Sequence, residues 1–384
     1  LIIVAIISAT LIFGIPSFML AAISPMAVKI KNEEEKAVGK ISGKISSLST
    51  IGSIIGTFVA GFILIPNMGV KNIILISSIL LWILGGCLYN NKNKKTVSIM
   101  IAILIVIIGI NIYSYKLFQD KNPDIVKDID SEYSRIWVKE IENQDNNYKT
   151  LQVDTGLESY INQNTGEMGA EYLKYFDLFD YYNKDANSVL MIGGAAYTYP
   201  IHYLDKYQNK TIDVVEIDDK MTEIAQEEFG LDTSNPNLKI HHQDGRSFLN
   251  YNNTKYDAIL IDAFKGLNAP FELTTYEAMQ KVRNNLRDNG IVITNIISAL
   301  EGEEDDFIKY EYSTYKAVFD DVKLFKVKDI DNNQKQNIIL LGIKGKTNID
   351  DNKNSEYEEL LQREITEFES NKQVITDNYA PIGD

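Results

Sequence analysis

Four nearly uninterrupted apolar stretches open the chain: Leu1 to about Ala27, Leu48 to about Ile65, Ile73 to Tyr89 and Val97 to about Tyr113. Each approaches the roughly 17 to 25 residues that a bilayer-crossing helix needs, so the pattern predicts a membrane region of about four helices over 1–115. A secretory leader is the competing reading of the first stretch. That stretch lacks a charged opening, and three more apolar segments follow it. Gly52, Gly56 and Gly61 supply small residues of the kind that let membrane helices approach one another. The first residue, Leu1, is not Met and stands inside an apolar run. The expectation is a longer membrane protein, with the helix number a minimum.

Beyond Tyr115 the pattern changes. Residues 116–130 are polar and charged, with Asn122-Pro123 inside them, and read as a connector. Short alternating runs at Arg135 to Ile141, Lys149 to Asp154 and Glu158 to Asn162 predict strands of a small antiparallel sheet, and Tyr172 to Tyr182 a helix with an aromatic face. Together they form a small β subdomain over 131–182. From Ser188 the apolar runs are of strand length, at Val189 to Ile192, Thr211 to Ile217, Leu238 to His242, Ala258 to Asp262 and Ile291 to Asn295. Helical patterns at Pro200 to Tyr207, Asp219 to Phe229 and Thr275 to Leu286 separate several of them. That order predicts an α/β, doubly wound, mostly parallel sheet over 183–384. Val322 to Lys328 and Gln336 to Ile343 close it as an antiparallel hairpin, and Tyr357 to Glu369 reads as a surface helix with Leu360, Leu361 and Ile365 inward.

Charge sharpens the division. Residues before Tyr115 carry nine Lys and three Glu, whereas the remainder carries 29 basic against 50 acidic residues. The acidic part argues against a nucleic-acid partner, which needs clustered Lys and Arg, and suits cationic substrates. The single cysteine, Cys87, excludes an intrachain disulfide framework, and three His beside it argue against a zinc site. The loop from Lys29 to Lys44 holds five Lys and that from Asn90 to Thr96 three, against one from Pro66 to Asn72. The positive-inside rule makes the first two cytoplasmic, and four simple spans then place everything after Tyr115 outside. Such a placement conflicts with use of a cytosolic nucleotide-like molecule, and one further span reverses it.

Ligands of doubly wound sheets bind beyond the carboxyl ends of the strands. The first of these strands runs into Gly193-Gly194-Ala195-Ala196-Tyr197, a turn of mostly small residues that enters a helix. Small side chains let a ligand approach the backbone, although a tight turn that binds nothing has the same sequence. About 20 residues on, Glu216 ends the second strand, where an acid can accept from both hydroxyls of a ribose. Asp244, before Gly245 at the third strand end, is placed either for an adenine amine or as the cap of a helix over Ser247 to Tyr251. Asp262, at the fourth, is placed as a general base or as a cap. His202, His241 and His242 read as structural.

In combination these segments resemble the class I S-adenosylmethionine-dependent fold and, within it, the spermidine synthase family. Val189 to Asp218 is similar to its first two cofactor motifs, Gln243-Asp244-Gly245 to its adenine-contacting segment and Ile261-Asp262 to the start of its catalytic loop. Five further segments resemble the membrane-fused branch: Tyr197-Thr198-Tyr199-Pro200, Asp262-Ala263-Phe264, Pro270 to Thr275, Thr376 to Pro381, and Ser24-Pro25 with Ser47 to Ser53. The resemblance implies a Rossmann-like, methyltransferase-type domain. Its activity would be aminopropyl transfer from decarboxylated S-adenosylmethionine to an amine such as putrescine. It implies Gly193, Gly194, Glu216, Asp244 and Gly245 at the nucleoside, Asp262 as the catalytic acid or base, and Tyr172 and Asp377 toward the amine. It also implies a small-molecule amine and the lipid bilayer as partners, no nucleic acid, and a homodimer as a candidate assembly.

Two positions depart from that pattern. The family's second acid, three residues after the catalytic Asp, is Lys265, a like charge toward a diamine. The family's Gly-Asp-Gly is Ala195-Ala196-Tyr197, which removes an acid near the donor's aminopropyl end. Two alternatives therefore stand beside the transferase: a methyltransferase using intact S-adenosylmethionine, and a non-catalytic, transporter-like membrane protein that binds a nucleoside.

Overall fold

The computed structural model describes every residue except Leu1, Lys36, 89–93, 143–145, Thr155, 264–269, Glu303 and 382–384. The chain separates into two compact units, Leu1–Leu88 and Tyr89–Asp384. Among the described residues, four helices are long and apolar enough to cross a membrane: Ile6–Asn32, Val38–Asn67, Val70–Cys87 and Val97–Lys121. Their apolar side chains have almost no protein cover; Phe18 and Phe62 are 77% and 75% exposed. Such contiguous apolar surface needs a non-aqueous neighbour. The second helix starts ten residues before the expected Leu48, because Lys40 and Lys44 lie on its first turns and hold their charges near its end.

The expected connector over 116–130 is instead structured. The last apolar helix runs to Lys121, where the Asn122 side chain donates to the Phe118 carbonyl at 2.8 Å. The first strand, β1 (Ile125–Asp130), follows almost at once. Its alternation of half-buried and exposed positions is hidden in the residue pattern because Lys127 takes a half-buried place and apolar Val126 an exposed one. β2 (Arg135–Glu142), β3 (Asn147–Val153) and β4 (Gly156–Asn162) complete an antiparallel sheet in the order β1-β2-β3-β4. Its inward side chains Ile136, Val138, Leu151 and Val153 pack on Ala196, Met221, Ile224 and Phe229. The small sheet thereby covers the glycine turn and the helix that follows Glu216.

The large sheet is built from β5 (Ser188–Ile192), β6 (Thr211–Glu216), β7 (Leu238–His242), β8 (Tyr256–Ile261), β9 (Leu286–Ser298), β10 (Asp321–Lys326) and β11 (Gln336–Ile343). Its order is β10-β11-β9-β8-β5-β6-β7. β9, β8, β5, β6 and β7 run parallel, with β11 antiparallel to both β9 and β10. This is the expected Rossmann-like, methyltransferase-type sheet, buried on both faces as parallel strands require. The odd and even residues of β5 show it: Val189 and Met191 join one core, Leu190 and Ile192 the other. Chain order reverses between β5 and β8, so a crevice opens beyond their carboxyl ends.

The helix expected over Tyr357 to Glu369 is shorter, Asn354–Leu361. The chain then lies along the open edge of β10, where Ile365 donates its N–H to the Leu324 carbonyl at 2.7 Å and Glu364 bridges Phe325. Pairing with an exposed strand edge outweighs the helical pattern there. The aromatic segment near Tyr172 begins as a tighter 3-10 turn, Glu171–Asp177, before the short helix Leu178–Tyr182.

Candidate active site

The crevice beyond β5 and β8 is a cavity of about 830 Å³. Gly193 makes it possible. Its φ is +94°, and a Cβ there would lie 2.2 Å from the Asp262 carbonyl oxygen. Only glycine tolerates both the conformation and the approach. The strand ends are drawn together by the Asp262 N–H on the Ile192 carbonyl and the Gly193 N–H on the Val215 carbonyl, each at 2.9 Å. Ala195 and Tyr197, in place of the family's glycines, also have positive φ, +46° and +56°. Each such residue costs about 1–2 kcal/mol. The fully buried Tyr197 ring, with its hydroxyl 2.7 Å from Thr222 Oγ1, holds the turn in that form. Ala196, where the family has an acid, is fully buried against the small sheet.

Glu216 is 7% exposed and lines the cavity. Its Oε2 accepts from the N–H groups of Gly194 at 2.8 Å and Ala195 at 3.1 Å, and its Oε1 from that of Asp218 at 2.9 Å. Burial pushes its carboxyl above the ordinary glutamate value, while these donors hold it down. Asp218 also accepts from Ser131 Oγ at 2.5 Å, which ties the β1–β2 turn to the Glu216 end of the cleft. Asp244 caps the next helix, accepting from the Ser247 N–H at 2.7 Å, and still lines the cavity. The cap reading of that residue is thereby met, and its place on the cavity wall leaves it able to face a ligand. Gly245 admits no side chain without displacing Ile192, 2.7 Å from a Cβ built there.

Asp262 stands at the end of β8. Its Oδ2 accepts from the Tyr172 hydroxyl at 2.9 Å and its Oδ1 from Asn295 Nδ2 at 3.0 Å. Asn295 Oδ1 in turn accepts from Asn337 Nδ2 at 3.0 Å. Burial pushes the Asp262 carboxyl up from the usual aspartate value, and the two donors partly offset it. Tyr172 is raised well above an ordinary phenol, first by burial and then by the neighbouring charge. The phenol therefore donates. The carboxylate keeps lone pairs for a proton from the cavity.

Asn295, Asn337, Glu158, Tyr160 and Lys328 also line the cavity, and the residue pattern had not singled them out. Of these, Asn295 alone carried a signal, as the end of a strand-length run beside that of Asp262. Asp377 is not among the lining residues. It accepts from Thr275 Oγ1 at 2.6 Å and pairs with Arg246 at 2.8 Å, which ties its segment to the start of the helix Tyr276–Asn285. Lys265 lies outside the described residues. The histidines are engaged elsewhere: His202 with Asp177, His241 with Asp213 and His242 with Thr222.

Residues 171–329 match the spermine/spermidine synthase domain family. The chain is 32% identical over 119 residues to a probable polyamine aminopropyl transferase of Bifidobacterium longum, covering 31% of this chain and 26% of that protein. It is 29% identical over 149 residues to a polyamine aminopropyltransferase of Vibrio vulnificus, covering 38% of this chain and 48% of the relative. It thus spans about half or less of these curated relatives. The crystal structure of a probable spermidine synthase from Corynebacterium glutamicum superposes with a TM-score of 0.56 at 20% identity, covering 68% of this chain and 99% of the other. That likeness establishes the shared fold.

Proposed function

Starting from a chain that carries a spermine/spermidine synthase domain over residues 171–329, we propose a membrane-anchored aminopropyltransferase that uses decarboxylated S-adenosylmethionine and a primary amine. The observation that carries the proposal is Asp262: a half-buried carboxyl on the cavity wall at the end of β8, oriented by Tyr172 and Asn295, two strands from the Glu216 site. The names of the matched relatives support the same reaction class.

In this reading Glu216 accepts from the ribose hydroxyls, Asp244 and Gly245 border the adenine, and the Gly193-Gly194 turn admits the nucleoside backbone-close. The amine nitrogen attacks the aminopropyl carbon attached to the sulfonium. The N–C bond forms, the C–S bond breaks, and its electron pair leaves with sulfur as neutral methylthioadenosine. The proton lost from the amine passes to Asp262. The sulfonium is already a good leaving group, so the protein mainly aligns the partners and receives that proton. The four apolar helices supply the membrane attachment.

Calorimetric titration of the full chain in detergent tests the donor. Decarboxylated S-adenosylmethionine should bind more tightly than intact S-adenosylmethionine, and Glu216→Gln should weaken both. Preference for the intact molecule would point to methyl transfer, and absence of binding by either would return the non-catalytic membrane reading.

A further inference from the structure

Two segments singled out in the sequence, Pro270 to Thr275 and Thr376 to Pro381, have no part in the transfer as proposed. They meet at one side chain, Arg246. Its Nη1 donates to the Glu272 carbonyl and to Thr275 Oγ1, each at 3.2 Å, and its Nη2 pairs with Asp377 Oδ2 at 2.8 Å. Thr275 Oγ1 donates to Asp377 Oδ1 at 2.6 Å and accepts from the Ala278 N–H at 3.1 Å. That hydroxyl, fully buried, thus has its one donor and both acceptor positions in use. Arg246, Thr275 and Asp377 close a ring of hydrogen bonds. The Asp377 N–H on Glu277 Oε2 at 3.0 Å and the Tyr276 N–H on the Ile375 carbonyl at 2.7 Å seat the segment from Ile375 to Asp377 beside it.

The three members of the ring are not among the lining residues of the cavity, but their chain neighbours are. Asp244 and Gly245 precede Arg246, and Pro270, Glu272 and Leu273 precede Thr275. These two stretches of wall touch each other. A Cβ built on Gly245 would lie 3.5 Å from Leu273 Cδ1 and 3.6 Å from its Cδ2, so the Leu273 side chain packs on the bare face of Gly245. The guanidinium spans that junction: it starts beside Gly245 and grips the chain on both sides of Leu273, at the Glu272 carbonyl and the Thr275 hydroxyl. A planar fork can serve these acceptors and a carboxylate together, whereas a lysine ammonium is a single point of charge.

We propose that Arg246 is a positioning residue of the nucleoside site, which holds Leu273 against Gly245 as the wall for the adenine and so sets donor affinity without touching the donor. This rests on the aminopropyl-transfer reading, with the adenine at Asp244 and Gly245, and deepens it. The amine end is independent of the ring, since Asp262 is held by Tyr172 and Asn295.

The test uses the full chain in detergent, with methylthioadenosine binding followed by calorimetry and initial rates taken with decarboxylated S-adenosylmethionine and putrescine. Arg246→Met should weaken methylthioadenosine binding by about tenfold, the scale of a hydrogen bond to a charged group. The rates should show that loss in the KM for the donor rather than in kcat or in the KM for the amine. Arg246→Lys keeps a charge opposite Asp377 and loses the fork, so it should bind as weakly as Arg246→Met, and it carries the test if Arg246→Met fails to fold. Leu273→Ala should also weaken binding. Combining it with Arg246→Met should cost no more than Leu273→Ala alone, because both act through one contact. Unchanged affinity in Arg246→Met, full recovery in Arg246→Lys, or additive losses in the double variant would overturn the inference and leave aminopropyl transfer standing. Failure of the unsubstituted chain to bind methylthioadenosine would overturn both.

Discussion

Glu216 and Asp262 stand two strands apart on the same edge of one sheet, both largely withdrawn from water, yet their oxygens meet different kinds of donor. Glu216 is held by backbone N–H groups of Gly194, Ala195 and Asp218. Asp262 is held by the side chains of Tyr172 and Asn295, which come from a different segment and a different strand. Backbone donors are fixed once the turn is formed, so they suit a charge that must stay put while it holds a ligand. Side-chain donors can be exchanged one at a time, so they suit a carboxyl whose proton affinity has to be set. On the proposed reading the Glu216 end is thus a rigid cradle for the nucleoside and the Asp262 end a tuned base for the acceptor.

Substitutions separate the two ends. Asp262→Asn should have the largest effect, lowering aminopropyl transfer by about 10²–10⁴, the usual contribution of a positioned acid or base. Calorimetry should find its nucleoside affinity intact, and wild-type turnover by this variant would remove Asp262 from the chemistry. Glu216→Gln should do the reverse, weakening nucleoside binding by about 10- to 100-fold, the scale of hydrogen bonds to a charged group, with turnover recovering at saturating donor.

Tyr172→Phe should act through pH. Burial raises the Asp262 carboxyl and the Tyr172 donor lowers it, so loss of the phenol raises it further. A base works deprotonated, so the acidic limb of kcat/KM should move to higher pH in Tyr172→Phe. An unmoved limb would mean that Asp262 is not the titrating group. The smallest effect belongs to Asp377→Asn. Its pair with Arg246 is partly exposed, so the loss should be under about 1 kcal/mol of stability. A KM for the amine raised with stability unchanged would instead place Asp377 at the substrate.

The acids at the strand ends were legible because apolar runs and small-residue turns bracket them. The apolar helices were legible because nothing else explains such runs of Ile and Leu. The shell around Asp262 was less so. Asn337 is a neutral amide next to Gln336 at the start of a strand that is apolar beyond them, and it gains meaning only when β11 pairs with β9 and sets it beside Ile297 and within reach of Asn295. Lys328 is a surface lysine until the order of the strands puts it on the cavity wall. The segment from Arg363 to Ile365 was misread as helix for a similar reason: its partner, the edge of β10, is distant in the chain. Local pattern locates charges at the ends of strands, and long-range pairing decides which neutral groups orient them.

The most direct test of the account is the identity of the nucleoside product. The full chain is supplied with decarboxylated and intact S-adenosylmethionine in separate reactions with primary amines. Methylthioadenosine from the decarboxylated donor, equimolar with an N-aminopropyl amine, is the predicted result. S-adenosylhomocysteine from the intact donor, with no methylthioadenosine from the other, would contradict it.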